Sequence, residues 1–214
     1  VVDPATVITT HLTELIRDNM SELLSYVETQ NLLDELPNEH QKLVGEVVPN
    51  QISVGGIQRV LQNLLNERVS IRDLPTILEG ISEACAFTRN VTQLTEHVRS
   101  RLSRQISEQN STEDNFIPLV TLSAEWEQIF SDSILDQGED KQLSMAPSQL
   151  QRFIGAVRTT LDELADKEDP PVVLTSPTAR PFVRSIIERF RPTTSIMSQN
   201  ELHPKAKIKT LGQI

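Results

Sequence analysis

The residues best placed to do chemistry in this chain lie at Leu174-Thr175-Ser176-Pro177-Thr178-Ala179-Arg180. An apolar run of strand length meets a Ser-Pro pair that starts a helix. Free N–H groups and the dipole at a helix N-terminus favour an anion, and Arg180 would add a charge, so a phosphate could sit there. Structure alone also accounts for the pair, with Ser176 as N-cap and Pro177 in the first helical position. Other candidates are thinner. The four histidines, His11, His40, His97 and His203, are scattered, and none has a cysteine or carboxylate at metal-ligand spacing. His11 and Glu14 lie one turn apart on an expected helix, a spacing that a surface hydrogen bond explains. Cys85, the single cysteine, follows the helical run Ile77 to Ala84 and reads as a buried thiol rather than a nucleophile. The seven glycines are dispersed, and there is no G-x-S-x-G, Walker loop or G-x-G-x-x-G. The expectation is a protein with no catalytic residues, no metal and no cofactor. The rival is a small α/β nucleotide- or phosphate-binding enzyme with a helical cap, built on the Ser176 helix start.

Bulk composition narrows the partners. The 214 residues suffice for one large or two small domains, each with a core. Hydrophobic content of 37% with 23% charged residues is that of an ordinary globular protein, and 4% aromatic content leaves the cores to Leu, Ile and Val. With 30 acidic and 20 basic residues, the net charge of -10 argues against nucleic acid or an anionic membrane surface as the main partner. One cysteine permits no internal disulfide and suits a reducing compartment. No apolar run approaches the roughly 20 residues that cross a bilayer, and the opening Val1-Val2-Asp3 has nothing of a signal peptide.

Residues 1–110 read as successive helices that form an all-helical domain. Asp3-Pro4 opens a helix with Ile8, Leu12, Leu15 and Ile16 on one face, expected to be its core stripe. Ser25 with Glu28 and Asn38 with Gln41 have capping-box spacing. Ser53 opens the helix that carries Ile57, Val60, Leu61, Leu64 and Leu65, and Asp73 with Pro75 opens the next, with Ile77, Leu78 and Ile81. Asn90 with Gln93 opens a last helix burying Leu94, Val98, Leu102 and Ile106. The polar stretch Ser107 to Asn115 is the expected linker. In residues 111–214 the period changes to a small α/β domain. Phe116 to Leu122, Val172 to Leu174 and Thr194 to Met197 have strand length, and a helix runs from Leu150 to Leu164. Gln137 to Ser144 is expected as a polar loop, and Phe182 to Ile187 as a second helix. Lys205, Lys207 and Lys209 alternate along a final strand with one charged face, a pattern suited to a sheet edge.

Three blocks in order carry a family resemblance: VVDPATVITTHL at the start, VLQNLLNERVSIRDLPTILE from Val60 to Glu79, and QNELHPKAKIKTLGQI at the end. The chain resembles, over essentially its whole length, the cytosolic part of the FlhA/SctV family, the export-gate proteins of bacterial flagella and of type III secretion injectisomes. The ending looks more like the flagellar branch, with an injectisome homologue as the alternative. The resemblance implies a portion of a longer protein anchored in the bacterial inner membrane, with these residues at its cytoplasmic face. It implies a helical domain followed by an α/β domain and a homo-oligomeric ring. It also implies docking of flagellar export chaperone–substrate complexes and contact with other export-apparatus proteins. Matched residue by residue, Val7 and Thr10 fall at family docking positions. Arg72 and Asp73 fall at a possible ring contact, although capping by Asp73 alone would explain that residue. Pro75 departs from the family pattern, in which an arginine commonly stands there.

Overall fold

Side-chain caps set the helix starts in the amino-terminal half. The computed structural model describes residues 3–138, 140–164 and 169–214. Helix α1 (Pro4–Asp18) opens on its proline, α2 is a single turn (Met20–Leu23), and α3 (Tyr26–Asp34) is capped by Ser25, whose hydroxyl accepts from the Glu28 N–H at 3.1 Å. After α4 (Asn38–Val47) come α5 (Val54–Asn66), capped by Ser53 through the Gly56 N–H at 3.1 Å, and α6 (Leu74–Ala84), capped by Asp73 through the Thr76 N–H at 3.3 Å. Asn90 accepts from the Gln93 N–H at 3.0 Å at the start of α7 (Val91–Arg101). A cap of this kind is worth about 1 kcal/mol.

The stripe expected on α5 is the core of this half. Ile57, Val60, Leu61 and Leu64 are all fully buried, and so are Ile77, Leu78 and Ile81 on α6. Helices α2 and α3 pack on α5, and α4 packs on α6. Two local expectations are overturned. Asn38 does not cap α4. Pro37 precedes that helix, and Gln41 instead donates to the carbonyls of Leu33, Asp34 and Leu36 at 3.1, 3.3 and 2.9 Å. One amide thus satisfies carbonyls left open at the end of α3, a gain that the capping box would not bring. The single helix expected after Asn90 is two. α7 stops at Arg101 and α8 (Ser103–Gln109) follows, while Leu94, Val98, Leu102 and Ile106 are buried as expected.

The chain divides into two compact units, Val1–Val98 and Arg99–Ile214. This division lies upstream of the expected 110/111 junction, because Arg99 and Ser107 place their polar side chains inside the second unit, on Glu201 and its main chain.

In the second unit the order is β1 (Phe116–Thr121), α9 (Ala124–Ser133), β2 (Ile134–Gln137), β3 (Asp140–Leu143), α10 (Pro147–Glu163), β4 (Val172–Thr175), α11 (Arg180–Ile187), β5 (Ile196–Ser198), a 3-10 turn (Gln199–Glu201) and β6 (Lys207–Gln213). Four strands form one parallel sheet, β5-β4-β1-β6, with Leu119 beside Val172, Val173 beside Ile196 and Phe116 beside Lys207. Strands buried on both faces read as continuous apolar runs, which is why β1 and β4 stand out in the sequence. Val120 and Val173 on the sheet pack with Phe153, Val157 and Leu161 of α10 and with Val183 and Ile187 of α11. Phe153 meets Trp126 and Phe130 of α9 edge-on, at centroid distances of 5.1 and 5.0 Å. Helix α9 and the β2–β3 hairpin were not expected. The polar stretch 137–144 pairs as antiparallel strands, Ile134 beside Leu143, with Gly138 at φ 69 at the turn. Its side chains are mostly solvent-facing, so no hydrophobic alternation marks it.

Candidate functional site

The first candidate surface is α1, and its face is turned outward. Ile8, Leu12, Leu15 and Ile16, expected as a core stripe, are 67%, 55%, 47% and 46% exposed. This corrects the sequence reading. The three-four spacing makes one apolar face, as expected, but nothing among the described residues covers it. Val7 is 54% exposed on the same helix, and Thr10 is exposed as well. Thr9 and Thr13 turn their hydroxyls back to the main-chain carbonyls of Ala5 and Thr9, each at 2.8 Å. No such bond is made by Thr10, whose hydroxyl has no protein partner among the described residues. Val7 and Thr10 lie one turn apart, so they share a flank of α1. Leu23, Tyr26 and Val27, just downstream, add exposed apolar area. A contiguous exposed apolar patch of this kind marks a contact surface.

The second candidate is the α5–α6 turn. Arg72 and Asp73 are both exposed. Asp73 spends one carboxylate oxygen on its own helix, accepting from the Thr76 N–H, and leaves the other toward solvent. Arg72 makes no side-chain ion pair among the described residues. The structure therefore brings a cap and an exposed charge pair together at one place.

The junction that best suited an anion is filled from within. The Ser176 N–H donates to Oε1 of Glu127 at 2.9 Å, and the Thr175 hydroxyl donates to the same oxygen at 2.8 Å. The carboxylate of Glu127 on α9 thus stands where a bound anion would stand. Ser176 caps the turn that follows, accepting from the Ala179 N–H at 3.4 Å, and α11 itself starts three residues later than expected, at Arg180 with Pro181 in its first turn. Arg180 does not face the junction. It is buried with a side chain 2% exposed, its Nε lies 3.4 Å from Glu201, and its Nη1 donates to the Ile196 carbonyl at 3.2 Å.

Glu201 is the centre of a buried charge cluster that sequence reading missed. Arg99 reaches it in a fork, Nε and Nη2 each at 2.8 Å from a carboxylate oxygen, with side chains 3% and 1% exposed. The Ser107 hydroxyl donates to the Glu201 carbonyl at 3.1 Å and accepts from the His203 N–H at 2.9 Å. Arg99 and Glu201 are 102 residues apart, so no local pattern pairs them. The cluster ties the 3-10 turn between β5 and β6 to Arg99 and Ser107. Among the described residues no group of three His, Cys, Asp or Glu side chains could hold a metal. Cys85 is buried at the end of α6, as expected.

A helical unit followed by a four-stranded parallel sheet flanked by helices, with an outward-facing α1 and an exposed α5–α6 turn, defines a protein of the α plus α/β class whose prominent sites are surfaces. The model of the FHIPEP family matches residues 1–207, and the chain belongs to that family. The "Flagellar biosynthesis protein FlhA" of Caulobacter vibrioides is 55% identical over 214 residues, covering 100% of this chain and 31% of that relative. The chain thus spans about a third of the relative's length. Among solved structures, a chain in the "Chlamydia pneumoniae CdsV and CdsO protein complex" superposes with a TM-score of 0.90 at 29% identity, covering 100% of this chain and 62% of that one. The cryo-EM structure of "nonameric EPEC SctV-C" superposes at 0.86 with 28% identity, covering 97% and 62%. The resemblance to the FlhA/SctV family and the expected order, helical part then α/β part, therefore hold. No helix among the described residues is long and apolar enough to cross a membrane.

Proposed function

We propose that this chain is a portion of the cytosolic part of a flagellar type III export gate. Its parent protein would be anchored in the bacterial inner membrane and would present these residues at the cytoplasmic face. In the assembled gate they would form part of a homo-oligomeric ring that docks chaperone–substrate complexes, meets other export-apparatus proteins and orders export. No catalysis and no cofactor enter this reading. Support for the flagellar branch comes from 55% identity to a flagellar relative against 28–29% to the CdsV and SctV-C chains. Support for a ring comes from the nonamer named for SctV-C, and support for an apparatus partner from the complex of CdsV with CdsO.

The observation that carries docking is the exposed face of α1. Its apolar stripe supplies contact area, Val7 extends that stripe along one flank, and Thr10 adds an uncommitted hydroxyl beside it. Arg72 and Asp73 are the proposed ring contact, with Asp73 both capping α6 and presenting charge to a neighbour. Thr10→Glu tests docking, because the position is exposed and can be altered without opening a core. In the complete cytosolic region, the substitution should weaken chaperone–substrate affinity with an unchanged melting temperature. Unchanged affinity in a well-folded variant removes Thr10 from the site, and a joint loss of affinity and stability would make its role structural.

A further inference from the structure

Strand β6 is an edge of the sheet. Its strand partner is β1 alone in the order β5-β4-β1-β6, so one side of its main chain meets no strand among the described residues. Lys207, Ile208, Lys209 and Thr210 are all exposed along that edge. The segment from His203 to Ile214 holds three lysines and no acid, within a chain whose net charge is -10. None of Lys205, Lys207 and Lys209 has an ion-pair partner among the described residues. Lys209 rests its Nζ 4.9 Å from the Phe116 ring centre, which leaves its charge open to solvent on the other side. Positive charge continues off the strand. A cleft of about 380 Å³ is lined by Arg104, His203, Lys205 and Lys207, and Glu108, the acid in that lining, is held by Arg104 at 2.9 Å.

Edge lysines discourage pairing with neutral or basic strands, and the same charges favour an acidic one. A guard against aggregation needs charge only on the strand. Here Lys205 carries the charge beyond the strand to the cleft at the start of β6, which a guard does not require. We propose that the β6 edge is a docking site for an extended acidic segment of a partner protein. The segment adds to the sheet as a strand beside β6 and sets alternate carboxylates against Lys207, Lys209 and the cleft. Main-chain bonds supply affinity in such an arrangement, and alternate side chains supply selectivity. The register limits its length. Leu119 pairs with Thr210 and Val120 with Gly212, so Leu211 is an extra residue that bends the strand. The straight edge is Lys207 to Thr210, about 13 Å, which receives about four partner residues.

The probe is a short, end-blocked synthetic peptide of alternating Glu and Val, titrated into the 214-residue chain at low salt. It should bind saturably, slow amide exchange at Lys207 to Thr210, and lose affinity as salt is raised. Lys207→Glu combined with Lys209→Glu should weaken it about tenfold, two exposed charge contacts turning from attraction to repulsion. If circular dichroism shows that this variant misfolds, Lys207→Gln with Lys209→Gln should still weaken binding about threefold. A peptide of the same sequence with N-methylated valines keeps its charge and loses main-chain donors, so it should bind far more weakly. Equal binding of the N-methylated peptide would reduce the site to diffuse charge attraction and overturn strand addition. Absence of binding, unchanged affinity in both folded variants, or equal binding of a Lys-Val peptide would overturn the proposal outright.

Discussion

Replacing Glu201 by Gln should destabilise the second unit by about 3–5 kcal/mol, the range for removing one partner from a buried ion pair. The magnitude follows from the geometry. Glu201 accepts a two-pronged bond from Arg99 at 2.8 Å on each arm and lies 3.4 Å from Arg180 Nε, with the three side chains at most 3% exposed. Water cannot take over for a lost carboxylate at such depth, so two guanidinium groups would face a neutral amide, one of whose ends is itself a donor. Glutamine keeps the volume, so the loss measures charge and hydrogen bonding rather than a cavity. The chain has one tryptophan, Trp126, which is 6% exposed and packed in the second unit, so its fluorescence reports on the unit that holds Glu201. In urea, with a slope of about 2 kcal/mol per molar, the midpoint should fall by about 2 M at unchanged slope. Arg180→Met should couple to Glu201→Gln by about 0.5–3 kcal/mol in a double-mutant cycle, as members of one network do. A loss below about 1 kcal/mol for Glu201→Gln, or strict additivity with Arg180→Met, would refute the view that this cluster holds the 3-10 turn in place.

Three further outcomes are expected. Leu64→Ala should cost about 2–5 kcal/mol in the first unit, because Leu64 is fully buried on α5; chemical denaturation followed by circular dichroism checks it, and a loss below about 0.5 kcal/mol would mean that the helix buries another face. Calorimetric titration with nucleotides and inorganic phosphate should show no saturable binding, because the Glu127 carboxylate already accepts from Thr175 and Ser176; Glu127→Ala should destabilise by about 1–3 kcal/mol through those two unsatisfied donors.

Much of the helical half was legible because its determinants are local. Ser25, Ser53, Asp73 and Asn90 each bond an N–H three residues on, a distance that the chain itself enforces. The stripe from Ile57 to Leu65 and the apolar runs of β1 and β4 were readable for the same reason, since period and length reflect burial directly. Gln41 shows where that logic ends: its spacing fitted a capping box, yet its amide serves the preceding helix, because three open carbonyls lay within reach. The hairpin at 134–143 escaped notice because its faces are mostly wet and leave no apolar alternation.

The sites divide along the same line. Residue types alone showed that three lysines alternate near the carboxy-terminal end of the sequence and that α1 is amphipathic. Periodicity defines a face and says nothing of what lies against it, so only the tertiary structure turned Ile8, Leu12 and Leu15 from an expected core into an exposed surface. A charged residue is read as solvated unless its partner is in view. Arg99, Arg180 and Glu201 come together from three separate parts of the chain, and Glu127 reaches Ser176 across 49 residues. Burial of a charge becomes affordable only where the fold delivers its counter-charge, and that delivery is a property of the tertiary structure alone.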